Sequence, residues 1–177
     1  IKLSAIINET KNENVTSLAG VPSWMLVLLN KTLEETGKGS LLDIWPNAEV
    51  YFHGGVSFDP YHEQYKKIFP SNSFQYYEIY NASEGFFAYQ DSQKEKGMLL
   101  LLKAGIFYEF IKVEDFSANP EASGPRRYTI GEVELDVNYV LIISTNAGLW
   151  GYNIGDTVQF TSLKPYRVIV SGRIKHY

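Results

Sequence analysis

The first eighty residues alternate strand and helix signals, and this order limits the possible folds more than any other feature of the sequence. In "NVTSLAGVPSWMLVLLNKTLEETGKG", residues 16–21 predict a short strand, and the residues after it predict a helix that begins near Pro22 and ends at Gly37. Proline lacks the N–H that would be unpaired in a first helical turn, and glycine readily adopts the conformation that ends a helix.

Two more strands and a second helix follow in the same order. "NAEVYFHGG" predicts a strand that stops at Gly54 and Gly55. "SFDPYHEQYKKIF" predicts a helix that starts near Ser57 or Asp59, with Pro60 in its first turn. "FQYYEIY" predicts the third strand. Because a helical crossover joins parallel strands, we expect a parallel sheet with short turns at the carboxyl ends of its strands.

The second half of the chain has a different pattern. "GMLLLLKAGIFYEFIKVEDF" indicates two strands around a turn near Ala104 and Gly105, and "SANPEASGPRR" indicates a loop. Residues 131–174 indicate a series of strands, mostly antiparallel because their connections are short. The predicted fold class is therefore α/β, with parallel strand–helix layers in residues 1–90 and a β-rich, mostly antiparallel portion in residues 91–177.

Composition excludes several classes of protein. A hydrophobic fraction of 45% with 20% charged residues predicts a folded domain. The net charge of −4 gives no reason to expect a nucleic acid or an anionic membrane as partner. Cysteine is absent, which excludes disulfides and thiolate metal sites. The three histidines lack the spacing of metal ligands, and the sequence has neither a G-x-S-x-G nor a P-loop motif.

Three polar breaks in apolar surroundings are the candidate functional segments: "YNASEG", "YNIGD" and "SGRIK". Each has a simple structural explanation when it is taken alone. Glu84 could be a solvated turn residue or a charge that meets a cation. Asp156 follows Gly155 and precedes a strand, as in many turns, and Arg173 could be a solvated charge at a strand end.

Taken together and in this order, the three segments resemble motifs of the adenylate-forming enzymes, a superfamily that includes acyl-CoA synthetases and luciferases. The chain is most similar to the auxin-responsive Gretchen Hagen family of acyl-acid amido synthetases. That family has Ser-Glu where other members have Thr-Glu, as in "YNASE", and a run similar to "TNAGLWGYNIGD". The resemblance extends over residues 14–177.

This resemblance implies that ATP and Mg²⁺ bind at named positions. It assigns Glu84 to the metal and the Ser83 hydroxyl to a phosphate, roles that suit a carboxylate oxygen and a hydrogen-bond donor. It assigns Asp156 to the ribose hydroxyls and Arg173 to ribose or phosphate, and both Glu84 and Arg173 to catalysis with Ser83.

Three more positions receive a nucleotide-binding role from the same resemblance. The Tyr80 ring would lie against adenine. Gly54 and Gly55 match a strand-end turn where nucleotide and acyl group meet, and the missing Cβ would permit that approach. The expected position agrees with the general location of ligands beyond the carboxyl ends of strands in open α/β sheets.

The chain departs from the superfamily pattern in what it lacks. The phosphate loop rich in Ser, Thr and Gly does not precede these segments, and no small C-terminal domain follows Lys175, which matches the hinge between the two domains. Asn81 stands where many relatives have glycine. The chain also starts at Ile1 without methionine or a visible signal peptide. We therefore expect the distal part of a large adenylation domain, cut from a longer protein.

The expected function of the full-length protein follows from the resemblance. It would activate a small carboxylic acid as an acyl-adenylate and then transfer the acyl group to an amine such as that of an amino acid. One alternative is an acyl-CoA ligase with the same first step, and another is a catalytically silent nucleotide-binding fragment. We expect a cytoplasmic location. We expect the 177-residue chain alone to be inactive.

Overall fold

The computed structural model describes residues 2–118 and 124–174, which form two compact units, Ile1–Ile79 and Tyr80–Tyr177. The elements of the first unit are α1 (Lys2–Thr10), β1 (Ser17–Gly20), α2 (Pro22–Thr36), a 3-10 turn (Leu41–Asp43), β2 (Val50–His53), α3 (His62–Ile68) and β3 (Gln75–Ala82), whose last three residues belong to the second unit. The sequence predicts a boundary between an α/β half and a β-rich half at residue 90. This division of the domain stays a prediction.

The three strands of the first unit are parallel, as predicted. Strand β2 lies between β1 and β3, with Tyr51 opposite Leu18 on one side and Tyr76 on the other. The helices supply the crossovers between the strands. This arrangement confirms the strand–helix–strand order that was read from the sequence.

Helix α2 has the predicted bounds. Pro22 is its first residue, and Gly37 ends it with a φ of 66° while its N–H donates to the Leu33 carbonyl at 2.9 Å. The helix buries Leu26 and Leu29 in the core of the first unit. A left-handed residue at this position is tolerated best by glycine, which explains the stop.

The start of the second helix was predicted wrongly. Helix α3 begins at His62, because residues 59–61 form a turn in which the Tyr61 N–H donates to the Phe58 carbonyl at 2.8 Å. The Phe58 ring stacks on His53 with centroids 4.1 Å apart. Anchoring of this ring by tertiary packing therefore delays the helix. Helix α1, which the sequence patterns above did not predict, precedes the sheet.

Aromatic side chains dominate the core of the first unit. Tyr51 and Tyr65 are fully buried, and their rings stack 4.8 Å apart at centroids. The Tyr65 hydroxyl donates to the Pro22 carbonyl at 2.8 Å, which ties α3 to the start of α2. Phe69 and Phe74 stack similarly at 4.1 Å. These contacts hold the carboxyl end of β2 in place.

The second unit is built mainly of antiparallel strands, as predicted. Its elements are β4 (Gly85–Tyr89), β5 (Met98–Leu100), β6 (Ile106–Lys112), α4 (Val113–Ala118), β7 (Tyr128–Thr129), a 3-10 turn (Ile130–Glu132), β8 (Asn138–Thr145), β9 (Tyr152–Leu163) and β10 (Tyr166–Arg173). Their order in the sheet is β4-β5-β10-β9-β8-β6-β7. The fold class predicted from the sequence is thus confirmed.

Strands β5 and β6 do flank a turn at Ala104 and Gly105, but they do not pair with each other. Strand β5 pairs with β4 and β10, whereas β6 pairs with β7 and β8. Strand β9, the longest of this unit, forms a central antiparallel pair with β10 over a core that includes Phe87, Phe110 and Phe160. This pair carries both Asp156 and Arg173. In the part of the chain that is described, no helix is long and apolar enough to cross a membrane.

Candidate functional site

Asp156 lies inside strand β9, and not before a strand as predicted. The ladder with β10 ends at Asp156, whose cross-strand partner is Arg173. Gly155 has a φ of 84°, and its N–H donates to the Asn153 side-chain oxygen at 2.9 Å. Its carbonyl accepts the Ile174 N–H at 2.7 Å. Glycine is needed here because the backbone is left-handed, and Asn153 is a supporting residue that the sequence analysis missed.

The Asp156 carboxylate is the centre of a three-residue cluster. The Tyr80 hydroxyl donates to its Oδ2 at 3.0 Å, and the Arg173 Nε lies 3.3 Å from its Oδ1. The Asp156 side chain is 18% exposed. A carboxylate has about four lone-pair positions, so each oxygen keeps the capacity to accept a further hydrogen bond. The cluster can therefore hold a pair of hydroxyl donors at a partly buried charge.

Arg173 is the exposed member of the cluster, with 78% of its side chain accessible. It is the last residue of β10, after an irregularity between Val170 and Gly172. Apart from the Asp156 contact, its guanidinium pairs with none of the described acidic side chains. An exposed guanidinium with free N–H groups suits an anionic ligand.

Tyr80 is the buried member, with 6% of its surface exposed. Its ring packs at a tilt against Phe87, with centroids 5.0 Å apart, within the core of the second unit. Burial, and after it the charge of Asp156, raises the pKa of the Tyr80 hydroxyl, which stays a proton donor at neutral pH. The role of its ring against adenine stays a prediction. What the structure adds is the hydroxyl contact with Asp156, which spans 76 positions of sequence and has no local signal.

Ser83 and Glu84 form the two-residue turn between β3 and β4. Glu84 is partly exposed, and its side chain makes no hydrogen bond or ion pair with another described residue. No group of three side chains suited to metal binding occurs within residues 2–118 and 124–174. A single free carboxylate is still compatible with Mg²⁺, which commonly takes one or two carboxylates together with phosphates and water. The roles of Ser83 and Glu84 stay predictions.

The glycines of "HGG" have structural explanations within the first unit. A Cβ on Gly54 would lie 2.3 Å from the Ile79 carbonyl oxygen, and Gly55 has a φ of 82°. The missing Cβ of Gly54 thus permits close approach of β3. Nucleotide binding at both glycines stays a prediction, and Lys175, the predicted hinge, lies outside the described residues.

His53, just before these glycines, is a buried polar residue that the sequence analysis passed over. It is 5% exposed, and its Nδ1 has no hydrogen-bond partner. Burial, and after it the neighbouring His62, lowers the pKa of His53 to about 4. On the adjacent strand, burial raises the pKa of Glu78, with a further contribution from Asp59. The carboxyl end of the parallel sheet is therefore a place where charge is disfavoured.

Comparison with known proteins identifies two consecutive family domains. Residues 2–74 match the GH3 family N-terminal domain, and residues 99–173 match the GH3 family central domain. The indole-3-acetic acid-amido synthetase GH3.4 of Arabidopsis thaliana is 27% identical over 168 residues, which cover 90% of this chain and 26% of that protein.

Solved structures share the fold. The acyl acid amido synthetase AtGH3.15, in complex with 2,4-DB, superimposes with a TM-score of 0.70 at 15% identity, covering 98% of this chain and 38% of that one. A 2-hydroxyisobutyryl-CoA ligase in complex with 2-HIB-AMP and CoA gives 0.66 at 14% identity, covering 97% and 39%.

The chain thus spans about a quarter to two fifths of the length of these relatives. The central-domain match contains "YNIGD" and Arg173, and "YNASEG" lies between the two matches. The resemblance to the Gretchen Hagen family is confirmed: the chain belongs to the GH3 family.

Proposed function

We propose that this chain is the part of an ATP-dependent acyl-acid amido synthetase that binds the ribose and helps to bind the phosphates. The full-length enzyme joins a small carboxylic acid to the α-phosphate of ATP, releases pyrophosphate, and passes the acyl group to the amine of an amino acid. One observation carries the proposal. Tertiary folding unites Asp156, Arg173 and Tyr80, which come from the three motif segments, around one partly buried carboxylate.

The ribose assignment follows from hydrogen-bonding capacity. Asp156 has one free acceptor position on each oxygen beyond its contacts with Tyr80 and Arg173. Two vicinal hydroxyls can occupy these positions together. The partly buried environment strengthens such charge-assisted bonds relative to bulk water.

The phosphate end is assigned to exposed groups. The guanidinium of Arg173 donates to ribose or phosphate oxygens, and the hydroxyl of Ser83 donates to phosphate. Glu84 would hold Mg²⁺, whose charge offsets the negative charge that develops on phosphoryl oxygens. The free, partly exposed carboxylate of Glu84 fits that ligand type.

The amine acceptor is the choice that the GH3 family match favours. Coenzyme A is the second candidate, because a CoA ligase with a bound acyl-adenylate shares the fold. Incubating the full-length protein with ATP, a panel of carboxylic acids and either amino acids or CoA, followed by mass analysis of the products, separates the two. If a thioester forms and no amide is found, the acceptor is CoA and not an amine. The proposed adenylation step would then still hold. We also propose a cytoplasmic location, which imaging of the tagged full-length protein tests.

The ribose assignment is tested by removing the carboxylate. Two charge-assisted hydrogen bonds, each worth about 1.5–3 kcal/mol, predict that Asp156→Ala weakens ATP binding about ten-fold or more. The loss should vanish with 2′,3′-dideoxy-ATP, which offers no hydroxyls. Glu134→Ala is a matched control, because it removes a surface carboxylate of the same unit that pairs with Lys112. Calorimetric titration with both nucleotides measures the effect. Equal losses for both nucleotides would show that Asp156 does not bind the ribose.

A further inference from the structure

The contact between Tyr80 and Asp156 joins a rigid group to a movable one. Tyr80 is held in the core by Phe87 and is 94% buried, whereas a carboxylate rotates with little restriction about its last torsion. The other neighbour, Arg173, is 78% exposed and cannot fix an orientation in the same way. The hydroxyl of Tyr80 is therefore the group that defines how the carboxylate points.

We propose that Tyr80 is a positioning residue for nucleotide binding: its hydroxyl holds the Asp156 carboxylate in the orientation that receives the two ribose hydroxyls. The inference rests on the proposed function, in which Asp156 binds the ribose. The proposed role belongs to the hydroxyl, which acts through another side chain, and it is separate from the predicted contact of the ring with adenine.

The physical basis is preorganisation. A donor already bonded to Oδ2 leaves one defined acceptor position on that oxygen and turns the carboxylate plane before the ligand arrives. The rotational freedom of the carboxylate is then lost during folding and not during binding, which favours affinity. A hydrogen bond that only stabilised the fold would contribute to the stability of the protein and would not distinguish one nucleotide from another.

The test compares two buried tyrosines of the same core in the full-length protein. Tyr80→Phe removes the hydroxyl that reaches Asp156. Tyr108→Phe is the matched control: Tyr108 is 4% exposed, and its hydroxyl donates to the Leu101 carbonyl at 3.2 Å and has no contact with Asp156. We expect Tyr80→Phe to lower the affinity for ATP by about five-fold to ten-fold. The affinity for 2′,3′-dideoxy-ATP should stay unchanged. Tyr108→Phe should keep the wild-type ratio of the two affinities.

A double variant gives a second reading. The quantity compared is the ratio of the affinity for ATP to the affinity for 2′,3′-dideoxy-ATP. If Tyr80 acts only through Asp156, Tyr80→Phe should not change this ratio further once Asp156→Ala is present. Losses that multiply in the double variant would contradict the proposal. Fluorotyrosine placed at residue 80 keeps the ring and strengthens the donor, so it serves if Tyr80→Phe does not fold. This substitution should raise the affinity for ATP and leave the affinity for the dideoxy analogue unchanged. Equal affinities for ATP with tyrosine and with fluorotyrosine at this position would overturn the positioning role of Tyr80.

The outcomes separate this inference from the function on which it rests. If Asp156→Ala weakens only ATP while Tyr80→Phe keeps the wild-type ratio, the ribose site stands and the positioning role of Tyr80 is wrong. If Asp156→Ala weakens both nucleotides alike, the ribose assignment fails and takes this inference with it. If the affinity for ATP relative to the dideoxy analogue falls in Tyr80→Phe and in Asp156→Ala, but not in Tyr108→Phe, both the ribose assignment and the positioning role of Tyr80 are supported.

Discussion

Acidification should destabilise the protein through His53. This imidazole is 5% exposed, its Nδ1 is unpaired, and its pKa is lowered from 6.5 to about 4, mainly by burial. The unfolded chain therefore binds a proton more readily than the folded chain between these two pKa values. The contribution to stability is fully present above the unfolded pKa and is lost as the pH falls from 6.5 towards about 4.

The size of the effect follows from the shift. The stability lost to this one group has a limiting slope of about 1.4 kcal/mol per pH unit. Between about pH 7.5 and about pH 5 it amounts to about 2 kcal/mol. Urea unfolding at these two pH values, followed by circular dichroism, gives the free energy of unfolding of the wild type and of His53→Phe. Phenylalanine retains an aromatic ring against Phe58 and cannot be protonated.

The comparison relies on the pH dependence and not on the absolute stability of the variant. His53→Phe should lose about 2 kcal/mol less than the wild type on acidification. His62→Gln is the control: it should retain most of the pH dependence, because burial is a larger cause of the His53 shift than His62 is. The same pH dependence in the wild type and in His53→Phe would refute the reasoning.

Three other substitutions test contacts elsewhere in the chain. Asp91→Ala should cost about 2–3 kcal/mol of unfolding free energy, because it leaves the buried guanidinium of Arg167, which contacts both carboxylate oxygens, without its partner; a change below about 0.5 kcal/mol would mean that the guanidinium is rehydrated. Gly54→Ala should destabilise by about 2 kcal/mol or more, since its Cβ would lie 2.3 Å from a backbone oxygen, whereas Gly39→Ala meets nothing within 4 Å and should be nearly neutral in the same urea assay. In the full-length protein, Glu84→Gln should strongly reduce pyrophosphate release while the melting temperature stays within about 1 °C; lower stability with retained activity would indicate a structural turn residue.

Local patterns in the sequence were sufficient for the elements whose signals are themselves local. Helix α2 begins at Pro22 and ends before Gly37, because proline fixes its own φ and glycine accepts the left-handed conformation at its own position. The start of α3 was wrong for the opposite reason: the ring of Phe58 packs against His53 of β2 and Tyr76 of β3, and this packing between elements outweighed the start signals at Ser57 and Asp59. The pairing of β5 and β6 with other strands likewise depends on partners far along the chain.

The strand–helix order of the first unit, the antiparallel second half, the family and the candidate residues can be read from the sequence alone, since each depends on residue types in a fixed order. The buried hydroxyl of Tyr80 at Asp156 and the place of Asp156 within β9 are visible only in the folded protein. The folded protein also shows that the Ile79 carbonyl oxygen occupies the space that a Cβ on Gly54 would need. These facts depend on distances between atoms whose residues are far apart in the chain, and such distances are set when strands pack together, not by the residues on either side.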